Sequence, residues 1–162
     1  VTAANDAVRT IRNVKAQLAD RLGRIPVASR ARVEVMATVL RERLERIEGE
    51  IYQVRNQSSQ DPLNYPIRLN NKIGALAGVV ASTDARPTDQ SYSVFNILSM
   101  DLDKQLIYLR EALAALPQLN GALKQAGQAE IVPSTAELKA PGAGKAPRGS
   151  GSEVDDSGDE RR

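Results

Sequence analysis

The feature that most constrains this chain is an apolar stripe at helical spacing between residues 33 and 54. Its members recur at steps of three or four residues: Val33, Met36, Leu40, Leu44, Ile47, Ile51 and Val54. This pattern is a/d-like and the opposite face of the segment is charged. With Ser29 as its cap, the segment is predicted to be one amphipathic helix of about 27 residues, roughly 40 Å long.

Helical periodicity also marks residues 3–22 and 65–82. The first of these helices is predicted to stop at Gly23. The other is predicted to begin with Asn64 as its cap and Pro66 in its first turn, where the missing N–H of proline costs nothing.

The fourth helix is predicted to begin behind a Thr88 cap and to be interrupted by Pro117. A short continuation ends at Gly127. Beyond it the chain is rich in proline, glycine, serine and charge, and has almost no large apolar residue to offset the entropy of ordering. We therefore expect a helical domain over residues 1–127 and a disordered tail over residues 128–162.

No strand-like alternation is present, and helices joined by short loops pack antiparallel. The sequence thus predicts an all-α fold, an antiparallel up-down-up-down four-helix bundle followed by the tail. The predicted bundle core consists of Leu40, Leu44, Ile47, Ile51, Leu69, Ile73, Leu76, Val80, Phe95, Leu102, Leu106 and Leu109.

Composition excludes several kinds of chemistry. The 162 residues include no histidine, cysteine or tryptophan, which removes imidazole and thiolate metal sites, His-dependent nucleophile systems and disulfides. The acids of the second helix lie opposite its apolar stripe and are predicted to form a solvated face: Glu42, Glu45, Glu48 and Glu50. We therefore predict no catalytic residue, no metal site and no cofactor, and no enzymatic activity for this chain.

Charge and hydropathy exclude two classes of partner. Residues 1–127 hold 17 basic and 13 acidic side chains, a net charge of +4, but the two signs are mostly interleaved. This distribution does not favour nucleic-acid binding. The longest apolar-rich run, residues 73–81, is about half of the roughly 18 residues that a membrane span needs.

Two adjacent features of the third helix set it apart. Gly74 and Gly78 form a small-xxx-small pattern, and with Asn70 and Ala81 they make a flat face beside the ordinary apolar stripe. We expect this face to allow a close crossing by another bundle helix, or by a separate domain. Asn70 and Asn71 are predicted to fix helix register through buried amide hydrogen bonds, with exposure of one of them and ligand binding as the alternatives.

The run "NYPIRLNNKIGALAGVV" (64–80), followed by a "DARPT" turn and a leucine-striped helix containing "LPQLNGALKQAG", resembles a known family. It is similar to the helical region at the C-terminus of large bacterial sortilin-like β-propeller proteins, also described as BNR-repeat or glycosyl-hydrolase-like. The resemblance covers roughly residues 25–132. It implies an upstream β-propeller as partner and export to the periplasm or outside the cell, whereas the tail after Pro133 departs from the family.

The aspartate-box turns of such propellers do not occur here, so the resemblance places no glycosidase chemistry on these residues. Because the chain begins at Val1 rather than methionine, we expect it to be a fragment or processed product. The predicted function is a non-catalytic accessory domain that packs on, or extends from, the propeller. The alternatives are a free-standing oligomerisation module, with the second and fourth helices as the intermolecular seam, and a piece completing an exported propeller glycoside hydrolase.

Overall fold

The computed structural model describes residues 1–55, 65–82 and 86–135. All regular structure within these ranges is helical, which confirms the all-α prediction. The described ranges contain five α-helices and a single 3-10 turn at Val27–Ser29. The helices are α1 (Thr2–Arg24), α2 (Ala31–Ile51), α3 (Leu69–Ala81), α4 (Asp89–Leu113) and α5 (Leu116–Gln125).

The helix boundaries predicted at Thr88 and Pro117 are confirmed. The Thr88 hydroxyl accepts a hydrogen bond from the Ser91 backbone N–H at 3.2 Å and so caps α4. Pro117 lies in the first turn of α5, where its fixed φ suits a helix start. Gly127 follows α5 with φ +71°, the left-handed conformation that favours glycine at a helix end.

The predicted helix ends around residues 52–68 are wrong. Helix α2 ends at Ile51 rather than Val54, and α3 begins at Leu69 instead of near Tyr65. The buried side chain of Gln53 lies at this junction, and its Nε2 donates to the Pro66 carbonyl at 2.9 Å. That bond joins the segment after α2 to the segment before α3. The predicted cap Asn64 lies outside the described residues.

The apolar core is built by α1, α2, the second half of α4, and α5. Helix α2 is central, since it packs against α1, α4 and α5. From the predicted core, the structure buries Leu40, Leu44, Ile47, Ile51, Leu69, Leu102 and Leu109, and half-buries Ile73, Leu76, Val80 and Leu106. Phe95 is 51% exposed, so its assignment to the core is wrong. It lies on the first half of α4, which α2 and α1 do not cover.

The chain stays ordered for several residues past the predicted end of the domain. Ile131 is 2% exposed and belongs to the core, so the expectation of an unpacked tail from residue 128 is wrong for residues 128–132. Side chains of α1 and α5 hold this segment by hydrogen bonds to its backbone. The remainder of the predicted tail, from residue 136, lies outside the described residues.

Candidate interaction surface

Helix α3 has the composition of a buried helix but the exposure of a surface helix. Among the residues of "LNNKIGALAGVVA", Lys72 alone is charged, and apolar or small residues occur all round. A helix of this composition is normally enclosed by other elements. Here only Leu69 is buried, because α3 packs mainly on α4 and touches α1 and α2 sparingly. Most of its apolar surface therefore faces solvent.

The first half of α4 shows the same mismatch. Asp89 is its single charged residue between positions 89 and 100, and Leu98 is its single buried one. Large side chains lie open: Ile97 is 61% and Met100 72% exposed. We use "the α3–α4 surface" for the large apolar residues of α3 and of the first half of α4 that are exposed or half-buried: Ile73, Leu76, Val79, Val80, Tyr92, Val94, Phe95, Ile97 and Met100.

A cleft of about 440 Å³ runs between the two helices. Ile73, Leu76 and Val80 line it from α3, while Tyr92 and Phe95 line it from α4. No charged side chain is among its lining residues. A cleft of this kind can receive apolar side chains from a partner, and its lining contains no carboxylate, imidazole or thiol.

The glycines of α3 lie on its solvent side. A methyl group added at Gly74 or Gly78 would have no neighbour within 4 Å, and Ala81 is exposed beside them. The close crossing expected inside the bundle is therefore wrong, because no described helix covers this face. The other expectation for the face, contact with a separate domain, stays a prediction.

The two asparagines of α3 have different environments. Asn70 is half-buried, and its Nδ2 donates to Oδ1 of Asn5 in α1 at 3.1 Å. Asn71 is exposed. Together with buried Leu69, the amide of Asn70 fixes the start of α3 against α1, whereas α3 as a whole packs mainly on α4.

Residues on either side of segment 56–64, which lies outside the described residues, make contacts near the N-terminal end of α3. Arg68 approaches Glu50 at 3.5 Å, and the guanidinium of Arg55 lies 5.7 Å from the centre of the Tyr65 ring. Arg68 and Lys72 are both basic, but Arg68 is paired with the Glu50 carboxylate. The two side chains therefore do not form a joint anion-binding site. These contacts, with the Gln53 bond, position the α3–α4 surface from its N-terminal end.

One of the predicted solvated acids is buried. Glu48 is 4% exposed, and its carboxylate accepts hydrogen bonds from Arg12 Nε at 2.7 Å and Lys15 Nζ at 3.1 Å. Arg12 also lies over the Tyr52 ring, 5.1 Å from its centre. The charged face of α2 is therefore partly covered by α1, and this cluster joins the two helices. Glu42, Glu45 and Glu50 are exposed, as predicted.

A further group of charged side chains lies near the end of α1. Arg24 donates to Asp20 at 2.8 Å and Arg21 also contacts that carboxylate, and the hydrogen bond from Arg24 is the main reason why the pKa of Asp20 is lowered from 3.8. Asp20 is exposed, so this pair is ordinary helix-surface chemistry.

The described ranges contain no group of acids that could hold a metal ion, and no described helix is long and apolar enough to cross a membrane. None of the residues of the α3–α4 surface was predicted to lie at an interface: Ile73, Leu76, Val80 and Phe95 were assigned to the bundle core, and Val79, Val94, Ile97 and Met100 were not singled out. Large apolar residues outside the main stripes were visible in the sequence, but their exposure depends on what the other helices leave uncovered.

No family model, characterised protein or solved structure matches this chain. The resemblance to sortilin-like β-propeller proteins therefore stays a prediction.

Proposed function

We propose that this chain is a non-catalytic helical accessory domain that binds another protein domain through the α3–α4 surface. The observation that carries the proposal is the combination of large exposed apolar side chains with almost no charge along α3 and the first half of α4. Large contiguous apolar patches on soluble domains usually mark sites of protein contact. A near absence of charge also lowers the cost of desolvating the surface when it is covered.

The partner that we propose is a sortilin-like β-propeller belonging to the same protein or to another one, exported to the periplasm or beyond. The run that carries the family resemblance forms α3, the helix that the other described helices leave largely uncovered. This location of the run supports the choice of partner.

We further propose an up-down-up-down order of the helices. The packing of α1 on α2 and of α3 on α4, each pair consecutive in the chain, supports this order.

The test replaces one exposed apolar residue on each helix of the surface by lysine. Val79 and Ile97 are each 61% exposed. Changing either of them to lysine should leave the core intact but place a charge in the interface. We expect each change to weaken binding to the separately produced propeller at least about tenfold, since tenfold corresponds to 1.4 kcal/mol. Isothermal titration calorimetry measures the affinity.

The matched control is Val35→Lys on α2. Val35 is 66% exposed, an equally open apolar residue that does not belong to the α3–α4 surface. It should bind like the parent chain. If all three variants bind the propeller with the same affinity, the α3–α4 surface is not the contact.

The second candidate is a homo-oligomerisation module. The second and fourth helices were expected to form the intermolecular seam, but Leu44 and Leu102 of their apolar stripes are buried within the single chain. A charge-poor surface can, however, face its own copy without like-charge repulsion, so the α3–α4 surface would be the seam. Sedimentation velocity decides: concentration-dependent dimers that Ile97→Lys abolishes favour this candidate, and a monomer at all concentrations excludes it.

The third candidate makes the parent protein an exported propeller glycoside hydrolase that this domain merely completes. Glu45 and Glu48 line one pocket, but Arg12 and Lys15 line it too and both hydrogen-bond the Glu48 carboxylate. Glycoside hydrolysis instead needs one carboxyl group that is free to act as a general acid. Hydrolysis of a glycoside by this chain alone would contradict a non-catalytic role.

A further inference from the structure

Residues 129–132 lie on the helices in the manner of a bound peptide. The segment follows Gly127 without regular secondary structure, and it is held by side chains of α1, more than a hundred residues away in sequence, and of α5. One residue of the segment, Ile131, is enclosed, whereas Val132 is 65% exposed.

The hydrogen bonds of this segment are directed at its backbone. The Ile131 N–H donates to Asn120 Oδ1 at 2.9 Å, and Asn120 Nδ2 donates to the Ile131 carbonyl at 3.1 Å. Gln17 does the same for the next residue: its Oε1 accepts from the Val132 N–H at 3.1 Å, and its Nε2 donates to the Val132 carbonyl at 2.8 Å. Two consecutive residues are thus each held at both backbone groups by one side-chain amide.

Three polar side chains of α1 form a row along this segment. Asn13, Gln17 and Arg21 follow one another at intervals of four residues, so they lie along one face of the helix. Asn13 Oδ1 accepts from Gln17 Nε2 at 2.6 Å and thereby orients the Gln17 amide, while Arg21 Nε donates to the Ala129 carbonyl at 3.2 Å. This polar row runs beside the apolar pocket that encloses Ile131.

We propose that the groove between α1 and α5 is a binding site for short extended peptides, and that residues 129–132 are its intramolecular ligand. The ligand class is an extended segment with one branched aliphatic side chain, followed by a residue whose N–H and C=O are both free to pair. Recognition by main-chain hydrogen bonds plus one side-chain pocket is the general mode of extended-peptide recognition. This site goes beyond the proposed function and shares no residue with the α3–α4 surface.

The test uses the full chain and the synthetic peptide acetyl-QAEIVPS-amide, which copies residues 128–134. In the parent chain the attached segment competes at an effective concentration of roughly millimolar, so added peptide should bind poorly. Ile131→Asp should release the segment, because a carboxylate is not tolerated in the apolar pocket. We expect this variant to bind the peptide at least about tenfold more tightly than the parent chain, followed by NMR shifts of the Gln17 and Asn120 side-chain amides.

Two controls separate release of the segment from a general disturbance. Val132→Asp places the same charge one residue later on an exposed side chain, so the segment should stay docked and peptide binding should stay weak. Adding Asn120→Ala to the Ile131→Asp variant should lower its peptide affinity several-fold, since the backbone pairing of the isoleucine is lost. Should Ile131→Asp lose its helical circular dichroism, Ile131→Ala replaces it.

Equal peptide binding by the parent chain and the released variant would overturn the proposal, as would no binding by a released variant that keeps its helices. The Ile97→Lys change on the α3–α4 surface should not alter peptide binding. The outcomes for the two surfaces are therefore distinguishable.

Discussion

A buried carboxylate needs compensation, and Glu48 obtains it from two cations that reach across from α1. Its own side chain is 5% exposed, but Arg12 keeps 47% and Lys15 27% of their side-chain surface in solvent. The pair of helices thus buries the acid and leaves the bases partly hydrated. Replacing Glu48 leaves no fully buried charge without a partner. The loss of stability should therefore be smaller than when one member of an enclosed ion pair is removed.

We expect Glu48→Gln to lower the free energy of unfolding by about 2 kcal/mol, the scale of a lost hydrogen bond to a charged group. Glu45→Gln is the matched control. Glu45 is half-exposed and 3.7 Å from Lys15, so its loss should cost less than about 0.5 kcal/mol. Urea denaturation followed by circular dichroism measures both values, and equal losses for the two variants would contradict a special role for Glu48.

At the scale of the element, α3 is a helix whose composition and surroundings disagree. Apolar residues all round, two glycines and a single charge are typical of an enclosed helix, yet it is anchored mainly at Leu69 and Asn70 and rests on α4. The glycines weaken the helix, and among the described residues they gain no close contact in return. Without a Cβ they leave room for another element to approach that face closely.

Alanine at the two glycines should therefore stabilise the isolated chain. We expect Gly74→Ala and Gly78→Ala each to raise the free energy of unfolding by about 0.5–1 kcal/mol, because alanine favours helix and meets no neighbour. Gly127→Ala is the contrasting control. Its φ of +71° strains any other L-residue, so that change should destabilise. Urea denaturation checks all three, and a loss of stability at Gly74 or Gly78 would show a close contact that this structure lacks.

On the scale of the whole molecule, stability is unevenly distributed. Residues of α1, α2, α5 and the second half of α4 share one apolar core, and Ile131 closes it. Helix α3 contributes only Leu69 to the buried set. Local opening is easiest where few apolar contacts are lost, so α3 belongs to the low-stability end of the molecule.

Native-state hydrogen exchange should reveal this division. We expect the backbone amides of α3 to exchange at least about tenfold faster than those in the middle of α2, because α3 can open without exposing the shared core. Binding of a partner to the α3–α4 surface should slow α3 selectively. Uniform protection of α2 and α3 in the free chain would mean that α3 is as firmly packed as the core helices.

Local chemistry in the sequence was enough for several features. The stripe from Val33 to Ile51, the Thr88 cap, the Pro117 interruption and the Gly127 turn follow from periodicity and from backbone preferences, which act within a few residues. The contact of Gln53 with Pro66 lies at the missed helix ends, and because the two residues are thirteen positions apart, periodicity within either segment does not reveal it. Glu48 was predicted to be solvated, but it is buried because its partners, Arg12 and Lys15, come from α1.

The sequence by itself determined that this protein is helical, that α2 is a long amphipathic helix, and that α3 carries an apolar surface with almost no charge. Periodicity and composition are properties of the chain, so they can be read without knowing its neighbours. Only the tertiary structure decided which apolar faces are covered. Burial depends on which helices meet, and their arrangement encloses Leu44 and Ile131 but leaves Phe95 and Ile97 open to a partner.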